Sequence, residues 1–305
     1  MKQRFHPDLA SARWIPVFSY GPRLARTMRT LKPRGGDPGA DVQVEEVVVS
    51  PHVSLRVFRP VGVASALPAL LWMHGGGHLF GNPEQDDAAN LGLVRDLGIV
   101  VAAARYRLGA DAPAPASVED CYEALRHLVV EAADLGIDPT RIAVGGASAG
   151  GGVAAGLVQY AHDRGEYPIA FQLLVYPMLD DRTVTRTDLD SATVRMWTTK
   201  SNRLGWTTYL GTEPGSPEVP EYAAPARRDD LSGLPPTWIG VGTLDLFHDE
   251  DVAYAERLTA AGVPTELVVV PGAFHGFDQL YGSTGVVRDF RASQTSALRR
   301  ARIVG

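Results

Sequence analysis

Strand-like and helix-like segments alternate along most of this 305-residue chain, which predicts an α/β fold. The expected architecture is a mostly parallel central sheet with helices on both faces. Three observations carry the prediction. Apolar runs of strand length recur at 67–73, 99–107 and 169–176, separated by helix-length segments. A β-branched run, Ile142 to Val144, enters a knot of Gly and Ala around Ser148. Two later strands end on an acid and a histidine, Pro236 to Asp245 and Thr265 to His275. Open sheets of this class place their sites just past the carboxyl ends of strands, so Ser148, Asp245 and His275 point to one place.

In order, residues 1–34 read as helical, and Lys32-Pro-Arg-Gly-Gly-Asp-Pro-Gly39 reads as a loop. A hairpin follows, with strands near 42–50 and 53–60. Next come strand 67–73, a glycine loop, helix 86–97 and strand 99–107. A helix opens at Ser117 with Asp120 three positions on, a capping-box pattern. After Ser148, Val153 to Tyr160 reads as helix, followed by strand 169–176. The irregular stretch 180–235 is too long for an ordinary connection, and such segments are usually lids or binding loops.

Composition narrows the class. A chain of this length buries one large core, and 45% hydrophobic content is ordinary for a globular protein. No apolar run approaches the ~20 residues of a membrane span. The N-terminus has no secretory h-region, so the expected location is cytoplasmic. The one cysteine, Cys121, lies at core spacing with Ala124, Leu125, Leu128 and Ala132, and reads as packing. No Cys or His cluster has zinc-ligand spacing.

The net charge of −6 is unevenly spread: residues 1–34 carry +7 and the remainder −13. A basic arm of this kind suits an anionic membrane surface. The preferred reading is a helix over the body, with its arginines facing solvent or acidic groups and Trp14, Ile15, Val17 and Phe18 covering a pocket. An acidic body with no basic stripe argues against nucleic acid.

Gly146-Ala-Ser-Ala-Gly150 is Gly-x-Ser-x-Gly in strand–turn–helix context, the setting that gives this motif meaning. The tight turn lifts the Ser148 hydroxyl clear of the backbone, and the helix start directs N–H groups toward an anion formed beside it. Gly150-x-Gly152-x-x-Ala155 also fits a dinucleotide fingerprint, but its glycines fall largely inside the helix, and a P-loop sequence is absent.

A serine nucleophile needs a base, and the base needs an orienting carboxylate. Where this elbow occurs, chain order runs serine, acid, histidine, which selects Asp245 and His275. Asp249 and Asp251 fall in the following helix and read as favourable charge at its N-terminus. His248 is too near Asp245 to close the arrangement, and His127 and His162 lie on helices as surface residues.

Upstream, an apolar strand runs into His74-Gly-Gly-Gly77. Three glycines let the backbone approach a tetrahedral oxyanion closely, so Gly76, Gly77 and Ala149 are the expected N–H donors, with His74 bracing the loop. His78, Leu79 and Phe80 follow directly and are candidates for substrate contact. Trp197 and Trp206 join them from the 180–235 stretch. With Met196, Tyr209 and Leu210 they lie near helical spacing, as suited to that segment's own core as to a substrate wall.

His74-Gly-Gly-Gly77, Tyr106-Arg-Leu108, Gly146-Ala-Ser-Ala-Gly-Gly151, Asp245-Leu-Phe-His-Asp249 and His275-Gly-Phe277 together resemble the hormone-sensitive-lipase-like carboxylesterases of the α/β-hydrolase superfamily. The resemblance spans residues 42 to 300, with the motifs in the family's order. It implies the α/β-hydrolase fold, a catalytic triad of Ser148, Asp245 and His275, and an oxyanion hole of Gly76, Gly77 and Ala149. It also implies a helical cap formed by residues 1–40 and the insertion 180–235, over a core of 41–179 and 236–305. There are two departures from the pattern, one a single residue and one a segment. Ala147 stands where the family often has an acid, and Arg105-Tyr-Arg-Leu-Gly-Ala-Asp111 replaces Asp-Tyr-Arg-Leu-Ala-Pro-Glu.

The expected function is hydrolysis of short-chain acyl esters through an acyl-enzyme, a chemistry that needs neither metal nor organic cofactor. Amidase or lactonase activity would use the same triad, and a catalytically idle scaffold that only binds ligand is the reading from another class. The expected partner is a small-molecule ester, with no nucleic acid and no stable membrane insertion; homodimerisation is left open.

Overall fold

A computed structural model describes residues 4–31, 33–186, 193–301 and 303. Lys32 of the expected loop, and residues 187–192 of the 180–235 stretch, lie outside the described residues. The hairpin forms as expected. Val42 and Val44 turn inward and Gln43 and Glu45 outward along β1 (Val42–Val48), the alternation of a half-covered edge strand. It pairs antiparallel with β2 (Ser54–Pro60), from Val42 opposite Pro60 to Val48 opposite Ser54.

The remaining strands are β3 (Leu67–Met73), β4 (Val100–Arg105), β5 (Ile137–Ala147), β6 (Phe171–Val175), β7 (Thr237–Gly242) and β8 (Thr265–Val270). They complete an eight-stranded sheet in the order β1-β2-β4-β3-β5-β6-β7-β8. β2 alone runs against the others.

Helices cover both faces: α1 (Pro22–Thr30), α2 (Asp87–Leu97), α3 (Ala116–Val130), α4 (Ala149–Arg164), α5 (Thr199–Leu210), α6 (His248–Ala260), α7 (Phe277–Leu280) and α8 (Gly285–Arg300). Strand periodicity divides the core in two. Ala69, Leu71 and Met73 of β3 pack with Leu125, Leu157 and Leu258 of α3, α4 and α6. Leu70 and Trp72 face the other way, onto Leu91 and Val94 of α2 and Phe290 and Leu298 of α8. Burial on both faces explains why these strands read as continuous apolar runs rather than alternating ones. Cys121 is fully buried in the first of these cores. Among the described residues no helix is long and apolar enough to cross a membrane.

Several local expectations change. α4 begins directly after Ser148 and runs to Arg164, taking in glycines that helix propensity disfavours; their close packing outweighs it. β5 is longer than its β-branched run suggested, reaching back to Ile137. α3 starts at Ala116 after Pro115, so Ser117 is no cap. Its hydroxyl donates to the Tyr209 hydroxyl at 3.1 Å, and the buried Asp120 accepts from the Arg107 backbone at 2.8 Å and from its guanidinium at 2.6 Å. A charge-assisted tertiary pair outcompetes a local capping box.

The N-terminal segment holds a 3₁₀ turn, Pro7–Trp14, before α1, which Gly21 and Pro22 open. Its expected apolar face is corrected: Trp14 is 76% and Val17 48% exposed, and Arg13 lies over the Trp14 ring. The side chains that anchor the segment are Leu9 and Ala12, in the core beside Phe274. The 180–235 stretch is partly regular, since it contains α5. It meets the N-terminal segment directly: Ser19 and Thr198 hydroxyls lie 2.7 Å apart, and the Tyr20 N–H donates to the Ser201 hydroxyl at 2.9 Å.

Candidate active site

β5 delivers Ser148 into a conformation that few side chains accept, φ 57° and ψ −123°. A residue held there costs of order 1–3 kcal/mol, so its surroundings must impose it. The Ser148 N–H donates to the Val175 carbonyl at 2.9 Å, while its own carbonyl accepts from Gly152 at 3.1 Å and Met178 at 3.0 Å. A Cβ on Gly146 would collide with the carbonyl of Gly150, and one on Gly150 with those of Met73 and His74. The turn therefore closes only with glycine on both sides of the serine.

The loops after β7 and β8 bring their side chains to this point. His275 Nε2 lies 2.9 Å from Ser148 Oγ, and His275 Nδ1 lies 2.8 Å from Asp245 Oδ2. Asp245 Oδ1 accepts the Phe247 N–H at 2.9 Å, which fixes the carboxylate plane. All three residues are buried, and Tyr176 and Phe247 hold the imidazole edge-on at centroid distances of 4.8 and 5.2 Å. With Nδ1–H donated to the carboxylate, Nε2 carries the lone pair that faces the serine hydroxyl.

The glycine loop turns immediately beside the serine. Gly76 (φ 131°) and Gly77 (φ 61°) adopt backbone geometry closed to most side chains, and the Gly76 carbonyl accepts from Leu79 at 3.0 Å and Phe80 at 3.2 Å. The N–H groups of Gly76 and Gly77 donate to no acceptor among the described residues. Ala149 opens α4, where N–H groups lack an intrahelical partner. His74 is buried beneath the loop, its Nδ1 2.8 Å from the Gly75 carbonyl and its ring stacked on Tyr106 at 4.7 Å. Burial pushes its pKa down to about 4, so it is neutral near pH 7.

Ser148 and His275 open into a cavity of about 430 Å³. Of the residues expected to touch substrate, Phe80 and Trp197 line it, together with Gly76 and Gly77. His78, Leu79 and Trp206 do not. The loop folds back at Gly76, so His78 and Leu79 pass under α5 before Phe80 returns to the cavity. The His78 ring lies flat on Tyr209, centroids 3.7 Å apart, and burial pushes its pKa down to about 3. Leu79 packs with Ala25, and Trp206 is fully buried in the same cluster.

Residues the sequence did not single out complete the wall. Tyr20, Met28 and Leu31 come from the N-terminal segment, Tyr176 from the residue after β6 and Gln279 from α7. Tyr20 forms an aromatic group with Phe80 at 4.9 Å and Trp197 at 5.7 Å. Met196 also reaches the cavity. A larger hollow of about 620 Å³, walled by Gln159, Arg182 and Tyr222 among others, includes none of Ser148, Asp245 or His275.

Among the described residues no other acid near Asp245 hydrogen-bonds His275. Asp249 is bound by His248 at 2.6 Å and Arg186 at 2.7 Å. Asp251 departs from its expected role as helix N-terminal charge. It is fully buried, neither of its carboxylate oxygens has a hydrogen-bond partner among the described residues, and burial holds its pKa well above the usual carboxylate range. The fourth position of α6 turns inward, and a neutral acid there contributes nothing to the helix dipole. Its neighbour Glu250, also buried, accepts from the Leu179 and Asp180 backbones at 2.7 and 3.1 Å.

Comparison with known proteins bears on the family and the fold. The α/β-hydrolase fold family profile matches residues 70–279. Carboxylesterase NlhH of Mycobacterium tuberculosis is 34% identical over 267 residues, covering 86% of this chain and 83% of its own. Ethyl acetate hydrolase of Pseudomonas putida is 33% identical, with 73% of this chain and 70% of its own covered. Among solved structures, a bacterial heroin esterase superposes with a TM-score of 0.87 at 38% identity, covering 97% of this chain and 98% of that one. The matched sheet, the serine elbow and these relatives together make the chain a member of the hormone-sensitive-lipase-like carboxylesterase family of the α/β-hydrolase superfamily.

Proposed function

We propose that this chain hydrolyses small-molecule, short-chain acyl esters as a serine carboxylesterase, with Ser148 as nucleophile, His275 as base and Asp245 as its orienting carboxylate. The observation that carries this reading is the continuous hydrogen-bonded chain from Ser148 Oγ through both imidazole nitrogens to Asp245, at 2.9 and 2.8 Å. The names of the relatives, carboxylesterase and ethyl acetate hydrolase, support the same chemistry.

In this mechanism Ser148 Oγ bonds to the carbonyl carbon as its proton passes to His275 Nε2. The carbonyl π pair moves onto oxygen, and the N–H groups of Gly76, Gly77 and Ala149 receive that charge. Donors fixed in advance stabilise it without reorganising, an effect commonly of several kcal/mol. The oxyanion collapses, the C–O bond to the alcohol breaks, and His275 returns the proton to the leaving oxygen. Water then attacks the acyl-Ser148 ester by the same steps, releasing acid and serine.

Residues 1–40 and 180–235 act as a two-part cap over a core of 41–179 and 236–305. The hydrogen bonds between Ser19 and Thr198 and between Tyr20 and Ser201 support that division. A cap that walls the cavity with Tyr20 and Trp197 suits dissolved esters rather than an oil surface.

An organophosphate followed by mass spectrometry tests the assignment. One adduct is expected, on Ser148, and Ser148→Ala should lower kcat by about 10⁴–10⁶ while leaving the fold intact. An adduct on another serine, or an alanine variant keeping more than about a tenth of its activity, refutes it.

A further inference from the structure

Behind the serine elbow lies a second cavity, of about 330 Å³, between α2, α7 and α8. Ala147, the residue before Ser148, forms part of its wall, and Gln85, Tyr176 and Gln279 separate it from the cavity that holds Ser148. Its lining mixes apolar and polar side chains, and its charged groups are Asp86, Asp96 and Asp278 with Arg291. Asp86 and Asp278 face it, and the hydrogen bonds that reach their carboxylates come from neutral groups. The Trp72 indole donates to Asp86 at 2.8 Å and the Tyr176 hydroxyl to Asp278 at 2.8 Å. Arg291 also lines the cavity but donates to the Asp278 backbone carbonyl, at 2.9 Å, rather than to its carboxylate.

An independent observation points into the same space. Asn90 is fully buried and lines this cavity, and neither its carboxamide oxygen nor its nitrogen has a hydrogen-bond partner among the described residues. Buried amides are rarely left unsatisfied, because the lost hydrogen bonds cost about 1–3 kcal/mol. A ligand that fits must therefore meet two carboxylates, an amide that both donates and accepts, and the aromatic side chains of Trp72 and Tyr176.

We propose that this cavity binds a small organic ammonium group, with Asp86 and Asp278 as counter-charges and Asn90 taking a hydroxyl or amine of the same molecule. An ammonium supplies several donors to carboxylates whose hydrogen bonds come only from neutral groups. A bare metal ion fits less well, since no group of three or more His, Cys, Asp or Glu among the described residues could hold one. Burial pushes Asp86 up to about 7 and raises Asp278 as well, Arg291 offsetting part of the rise at Asp278.

Calorimetric titration of the intact protein with ethanolamine, protonated near pH 7.5, tests this, with ethylene glycol as its uncharged counterpart. Saturable one-to-one binding of ethanolamine is expected, unchanged in Ser148→Ala and weakened about tenfold or more in Asp278→Asn, the scale of one lost charge-assisted bond. In the wild-type protein the Trp72 indole N–H resonance should shift as the site fills, a readout that does not depend on any variant folding. Equal binding of ethylene glycol identifies a polyol or water pocket and overturns the proposal. Absence of saturation with ethanolamine, or a Trp72 resonance that does not move, overturns it too. Neither result touches the assignment of Ser148, because no arm of the test reads ester hydrolysis.

Discussion

The indole of Trp197 occupies the space that a side chain at Gly77 would need: a Cβ built there collides with the ring. One residue of the glycine loop and one of the 180–235 segment thus fit only as a pair. Gly77→Ala must also carry an L side chain at φ 61°. The loop should shift and misdirect its N–H groups, lowering kcat/KM by about 10²–10³ with little change in far-UV circular dichroism. Activity within about threefold of wild type would remove Gly77 from the oxyanion site.

Two nearby acids should behave very differently. Asp245→Asn keeps the shape but presents an amide to His275 Nδ1, favouring the wrong tautomer, and should cost up to about 10⁴ in kcat. Asp249→Asn disturbs only contacts to His248 and Arg186 and should leave kcat within a few-fold. Steady-state rates on one nitrophenyl ester compare them, and the reverse ranking would displace Asp245 as the orienting acid.

The aromatic wall of Tyr20, Phe80 and Trp197 bounds the reaction cavity. Each methylene that fits adds at most about 0.8 kcal/mol, or about fourfold in kcat/KM, and chains that overrun the wall incur strain. Rates should therefore peak on acyl groups from about acetyl to hexanoyl, without a jump when substrate forms an interface. Phe80→Ala should move the maximum toward longer chains. A nitrophenyl ester series measures both, and a wild-type maximum at dodecanoyl with interfacial activation would contradict the closed wall.

Acid should destabilise the protein through its buried imidazoles. Burial pushes His78 down to about 3 and His74 to about 4, whereas an unfolded histidine binds its proton at about 6.5. Between those values the unfolded chain holds more protons, so stability falls as pH falls; the contribution is complete above about pH 6.5. Each pKa unit corresponds to about 1.4 kcal/mol, giving a loss on the order of a few kcal/mol by about pH 4. His78→Asn cannot titrate and tolerates φ 60°, so urea midpoints near pH 7 and pH 4.5 should differ less in that variant. An unchanged difference would assign the acid sensitivity to other groups.

The sheet and the three strand ends were legible because their signals are local: apolar runs, a glycine elbow, an acid and a histidine where strands stop. Phe80 and Trp197 could be named for the same reason, one beside the glycine loop and the other in an aromatic-rich insertion. The errors share a different origin. Whether His78 or Phe80 reaches the cavity depends on where the chain turns back after Gly76, and Ser117 and Asp120 find partners on Tyr209 and Arg107. Trp14 reads as a covering residue by hydrophobicity, yet Leu9 and Ala12 take the buried positions. Tyr20 carries no local signal, because its part in the wall arises from contacts with Phe80 and Trp197.

The hydrogen bonds from Ser19 and Tyr20 to Thr198 and Ser201 join parts of the chain about 180 residues apart. A ribosome therefore finishes the serine, the base and the acid long after it has made one panel of the chamber around them, and that panel stays without its counterpart until the 180–235 segment emerges. Substitutions at Tyr20, Met28 or Leu31 would alter the wall of that chamber. In a lineage diversifying toward new substrates, the opening residues are thus a place where selectivity can evolve while Ser148, His275 and Asp245 stay untouched.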